Sequence, residues 1–302
     1  MILEICIYMK CRLQLMQSIF GVCAAFKYRE NFFEIIKKFE LIDLKLKFFK
    51  ISRNYSSDLK FSIILLVVFN IIFYTVTSLT SFQLFVYDVY HHSIPLENLF
   101  FLVGVLCSAI FEYTYAVLLI AIYVRLKSLI KFVKKSNNLC TRDFKLLNFI
   151  YSNLIDVMKL ANQIFSLNAF FGLTELSIHL VFICFSAYQV VLSEYKFDLF
   201  LYTLSGFGYF ISKLPYYFLI IFYSTLVRTF GNDLWIEINK KQNFDQKEKK
   251  FREIVIRQMR CNELIASCGV YEFDWIVFFA IMTGAFSYLV VMIQFDLGID
   301  KK

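Results

Sequence analysis

The feature that most limits what this chain can become is a series of long apolar runs, at residues 60–83, 98–123, 168–192, 201–226 and 274–295. Each is at least as long as the ~20 residues an α-helix needs to cross a hydrocarbon core of about 30 Å. Backbone amides have no water to bond inside lipid, so only helices and closed barrels can span it. A barrel would show alternating segments of about ten residues instead of continuous runs. The sequence therefore predicts an all-α, polytopic transmembrane helix bundle with five firm spans. With 59% hydrophobic residues the chain is also too apolar for a soluble domain of its length.

An earlier apolar stretch, Leu13 to Phe26, is shorter than a full span and follows Lys10 and Arg12. It reads as a partial N-terminal span, an interfacial segment or a misannotated start. A cleaved signal peptide fits poorly, because Glu4 interrupts the apolar region and basic residues come after it.

Orientation follows from Lys and Arg, which are retained on the cytoplasmic side. They crowd into residues 27–60, 124–165 and 227–273, are absent from 84–97, and appear in 193–200 only as Lys196. The long connections are thus expected in the cytoplasm and the short ones outside, with an extracellular C-terminus. The sequon at Asn54 then falls on the cytoplasmic side, where it stays unmodified. Within the long connections, Arg29 to Phe49 and Phe144 to Phe165 keep apolar residues at i, i+3 and i+4, so helices are expected to continue below the membrane. Residues 239–253 form one strongly charged run, read as a solvated loop.

A net charge of +8 is no sign of nucleic-acid binding, since the basic residues are interleaved with acids between apolar runs. The eight cysteines include no CxxC pair and no cysteine–histidine cluster with metal-ligand spacing, so no metal site and no cofactor is expected. Cys107 and Cys184 lie within apolar runs and act there as small hydrophobes. Three histidines and no catalytic motif argue against an enzyme.

The last run carries the most ordered chemistry. Gly284, Ser287, Tyr288, Val291, Gln294 and Phe295 recur at spacings of three and four and share one helical stripe, leaving Met282, Leu289 and Ile293 for other faces. A hydroxyl, a phenol and a carboxamide are costly to point at lipid. The stripe therefore meets either a neighbouring helix, through close packing and hydrogen bonds, or the water of a pore. A pore needs several copies of the stripe, which a symmetric ring supplies.

Ser287-Tyr288, five apolar residues and then Gln294-Phe295 resemble the signature that closes the final span of insect gustatory receptors, with Ser287 where threonine is usual. The stretch Ala266 to Trp275, ending in Asp274-Trp275, is similar to the family's approach to that span. Family members usually have seven spans, and against that count the chain is expected to be truncated at its N-terminus, without the first span and part of the second. The resemblance implies one gustatory-receptor-like domain over residues 1–302. Its parts would be a partial span and cytoplasmic helix (1–59), ligand-binding helices (60–226), a cytoplasmic anchor segment (227–273) and a pore helix (274–295). It implies a multi-pass protein of the plasma membrane, a homo- or hetero-tetramer with other gustatory receptor subunits, and a non-selective cation channel opened by a small-molecule tastant. On that reading Gln294 and Phe295 form the outer gate, with Ser287, Tyr288 and Val291 along the conduit or bracing its neighbour.

Ionisable residues inside spans are functional candidates by default. Glu112 and Lys213 lie mid-span and are expected to pair, either as a tie between helices or at a ligand pocket. Glu175 and His179, one turn apart, are further candidates, as a satisfied core pair or as a polar lining. In the family the pocket opens outward, which directs attention to Phe82–Tyr90 and Tyr188–Tyr202. Two other classes compete. A G-protein-coupled receptor would need DRY-like or NPxxY-like motifs and a cytoplasmic C-terminus. A secondary transporter would suit Glu112 and Lys213 but would show internal repeats and Gly/Pro-broken helices.

Overall fold

The computed structural model describes residues 2–49, 64, 68, 95–136, 139–192, 197–240, 253–254, 256–257, 263–269 and 271–299. The expected span at 60–83, the Asn54 sequon and most of the charged run at 239–253 lie outside them. Among the described residues the fold is all-helical: α1 (Ile2–Lys27), α2 (Arg29–Phe48), α3 (Pro95–Lys135), α4 (Thr141–Leu192), α5 (Phe197–Lys240) and α6 (Trp275–Ile299). Three are long and apolar enough to cross a membrane: Thr141–Leu192, Gly206–Lys240 and Trp275–Asp296. The run at 98–123 falls inside α3.

α4 runs for 52 residues without a break, about 78 Å at 1.5 Å per residue. This is far longer than a bilayer core, so the cytoplasmic helix expected at 144–165 and the span at 168–192 are one rod. Its central position appears in its buried residues, which recur every three or four positions from Phe144 to Ser186.

α1 and α2 lie along α4 in antiparallel register. Gln17 reaches the Asn168 carbonyl, Asn31 bonds Gln163, Lys38 pairs with Asp156, and Lys45 sits over the Phe149 ring. From Asn31 onward each seven-residue step along α2 is matched by a seven-residue step back along α4. α1 is therefore packed along the bundle. Beside it, Ile35, Ile42 and Leu46 of α2 are buried while Phe33, Leu44 and Phe48 stay exposed.

A tight turn leads into α6. Ser267 and Glu272 form an isolated antiparallel bridge around Gly269, whose φ of 82° is a left-handed conformation that favours glycine. The turn is fastened to three helices. Asn162 donates to the Ile265 carbonyl at 2.8 Å, Tyr115 donates to Asn162 at 2.9 Å, and Arg228 pairs with Glu272. Phe273 is buried edge-on to Tyr115. Asp274 then caps α6, accepting from the Val277 amide at 2.8 Å. Burial pushes the Tyr271 phenol of this turn well above its ordinary value, with Cys268 adding to the effect.

Candidate functional site

Two groups of polar residues stand out, one inside the bundle and one on α6. The interior group is centred on Glu112 of α3, which is only 2% exposed. Lys213 of α5 meets both carboxylate oxygens, at 3.1 and 3.3 Å, and also donates to Ser108 at 2.7 Å. Gln17 of α1 donates to Glu112 at 2.8 Å, and the Tyr217 hydroxyl donates to the same oxygen. The expected pairing of Glu112 with Lys213 is thus present, with three partners that no pattern in the sequence announced. Gln17 was hidden in a stretch too short to read as a span. Tyr217 is one of many aromatics and lies one turn from Lys213, a spacing that gains meaning only once Glu112 is placed opposite.

Gly172 of α4 makes room for this group. A Cβ built there would fall on the Tyr217 hydroxyl, 2.5 Å from Gln17 Nε2 and 2.7 Å from Glu112 Oε1. The backbone of α4 thereby acts as one wall of the cluster.

Glu175 and His179 lie on α4 just beyond it, both buried. Tyr209 donates to Glu175 at 2.8 Å, and its ring meets the His179 ring edge-on. His179 Nε2 lies 2.9 Å from the Gly206 carbonyl. A carbonyl only accepts, so Nε2 carries the proton in that bond. Tyr209, Lys213 and Tyr217 form one stripe of α5, facing carboxylates from two helices. The four ionisable candidates are therefore brought to a single region where α3, α4 and α5 meet. Of the outer segments singled out from sequence, Phe82–Tyr90 lies outside the described residues, whereas Tyr188 packs beside Phe185.

α6 presents the second group. Ala285 and Met292 are buried, and together with Leu289 and Ile293 they pack on Val181 and Phe185 of α4. The opposite stripe is uncovered: Gly284, Ser287 and Gln294 are exposed, as are Val291 (43%), Tyr288 (63%) and Phe295 (67%). Only 11% of the most apolar stretch of α6 is buried inside the chain, against 61% for α4 and 50% for α5. Ser287 satisfies its own hydrogen by donating to the Thr283 carbonyl at 3.0 Å. Beside Phe295, Asp296 accepts a bond from Gln189 at 2.6 Å, fastening this end of the helix to α4.

The sequence profile of the 7tm Chemosensory receptor family matches residues 1–299. The chain belongs to the 7tm chemosensory receptor family. It is accordingly a multi-pass membrane receptor and not an enzyme. In fold this chemosensory receptor is similar to the insect olfactory receptor OR5 from Machilis hrabei, with a TM-score of 0.56 at 11% identity. The likeness covers 97% of this chain and 88% of that one. No curated protein matches the sequence.

Proposed function

We propose that this chemosensory receptor is a gustatory receptor subunit, a ligand-gated, non-selective cation channel of the plasma membrane that opens in response to a tastant. Four copies, alike or mixed with other gustatory receptor subunits, would surround a pore lined by α6. The supporting observation is the bare stripe of Gly284, Ser287, Tyr288, Val291, Gln294 and Phe295, beside a packed edge on the same helix. Lipid is a poor cover for a phenol and a carboxamide, and a shared aqueous axis gives both a solvent.

In this arrangement Phe295 closes the conduit as an apolar ring that sheds water, and Gln294 offers carboxamide oxygens to a hydrated cation when the helices part. Glu112, Glu175, His179 and Lys213 border the ligand-binding region. The fastened turn at 265–274 carries movement of α3 to α5 into α6. The extracellular C-terminus read from the loop charges places the Phe295 end of α6 outward.

Expression followed by patch-clamp recording, during a screen of sugars and bitter compounds, tests this reading. Ligand-evoked cation current that is independent of G proteins and whose permeability is altered by Gln294→Ala supports it. Current unchanged by Gln294→Ala combined with Phe295→Ala removes the gate assignment.

A further inference from the structure

The interior cluster holds two buried carboxyl groups on different helices, and α5 brings one buried lysine to it. Glu112 of α3 takes Lys213 and Tyr217, whereas Glu175 of α4 takes Tyr209. Tyr209, Lys213 and Tyr217 are four residues apart and share a face of α5, so the three donors form a ladder with a rung spacing of about 6 Å. Moving α5 by one rung toward the end at Phe197 puts Lys213 where Tyr209 now stands, beside Glu175. The same movement puts Tyr217 where Lys213 now stands, beside Glu112, to which it already donates. Neither carboxylate is left without a donor: Glu112 gives up the ammonium and keeps Tyr217 and Gln17, while Glu175 exchanges Tyr209 for Lys213. Packed helices have discrete seats, and one-turn steps are a known way for them to exchange seats.

We propose that α5 is a two-position slider in which Lys213 passes between Glu112 and Glu175. The position described here is the one with Lys213 on Glu112. α5 also carries Arg228, whose ion pair with Glu272 holds the turn leading into α6. A one-turn step of α5 therefore pulls on the base of α6. This use of the step rests on the channel reading, but the step itself does not.

Cross-linking reads the register directly in full-length protein in membranes. A Cβ at Gly206 lies 3.3 Å from Ile183 Cγ1, so Gly206→Cys with Ile183→Cys reports the present position. In antiparallel packing, one step moves residue 206 opposite Ala187, so Gly206→Cys with Ala187→Cys reports the second. Both pairs are made in a Cys184→Ser background, because Cys184 adjoins the first. The 206–183 link forms in the parent. Adding Glu112→Gln raises the 206–187 link roughly tenfold, the response expected when one state of a two-state equilibrium loses a charged partner. Adding Glu175→Gln or Lys213→Met as well abolishes that rise. Should Glu112→Gln fail to reach the membrane, Glu112→Asp, which shortens the reach to Lys213, carries the same expectation.

A 206–183 link absent from the parent overturns the register and the slider together. A 206–187 link that Glu112→Gln leaves unchanged, or raises equally with and without Glu175, overturns the slider alone. Neither result depends on current, so it is separable from failure of the channel reading.

Discussion

The interior of the bundle around Glu112 and the free stripe of α6 are built from similar materials, polar side chains set in apolar helices, and treat them in opposite ways. Inside, each charge is met by the same chain: Lys213, Gln17 and Tyr217 converge on one carboxylate from two helices. On α6, Tyr288 and Gln294 are left exposed, although an apolar edge of the same helix is well packed. The first region is closed within one copy and serves to hold helices in register. The second is left bare by its own copy, and on the channel reading other copies and the water they enclose complete it. In a membrane receptor, polarity alone does not tell a structural tie from a conduit. Whether the chain covers the polar group itself does.

The comparison breaks first if the interior cluster proves dispensable. Glu112→Leu or Lys213→Met alone strands a buried charge and is expected to cost about 3–5 kcal/mol, whereas replacing both together recovers much of it. Thermal melting of detergent-solubilised protein measures this, and a double variant no better than either single one would deny the pairing its role. Arg125 supplies a second test below the cluster. It grips Asp43 through two nitrogens at 2.9 and 2.6 Å and lies over the Phe39 ring. Arg125→Lys keeps the charge but loses the fork, with an expected loss of about 1.5–3 kcal/mol in the same melting assay. Gly172→Ala probes the wall of the cluster. Its methyl collides with three polar groups at once, and overpacking of this kind costs about 1–3 kcal/mol. A melting temperature unchanged in Gly172→Ala would mean that the cluster is looser than its distances suggest.

Much of the fold was legible because the membrane imposes a coarse rule, that a long apolar run is a helix. α4, α5 and α6 follow from it directly, and the capping Asp274 marks the start of α6 to within a residue. α1 was not decided by that rule, because its apolar run is short and begins only after Lys10 and Arg12. What places it is long-range contact: Gln17 bonds Glu112, 95 positions away, and Phe20 stacks on Phe171. The site divides along the same line. Glu112, Lys213, Glu175 and His179 announced themselves as charges in apolar surroundings, and the α6 stripe by its period. Tyr209 and Tyr217 did not, because a tyrosine in a membrane helix is unremarkable until an acceptor faces it. Asn162 and Arg228, which tie down the turn before α6, lie in polar company where one more polar side chain carries no signal. Their roles come from long-range pairing, which no local spacing encodes.

The smallest expected change in stability is the one that sharpens the comparison most. Gln294 is exposed in the single copy, so Gln294→Ala should alter melting of the protein by no more than about 0.5 kcal/mol, as at an ordinary surface position. If the stripe lines water shared between copies, the same substitution changes cation permeability and leaves the assembled complex intact. Phe295→Ala, which shortens an apolar ring, then raises current in the absence of ligand. Permeability measured by reversal potentials and assembly measured by native mass together separate the possibilities. Loss of assembly with Gln294→Ala would make the stripe an adhesive between helices, the packing reading. Altered permeability in an intact complex has no explanation in packing, because a carboxamide that only joins helices has no ion to select.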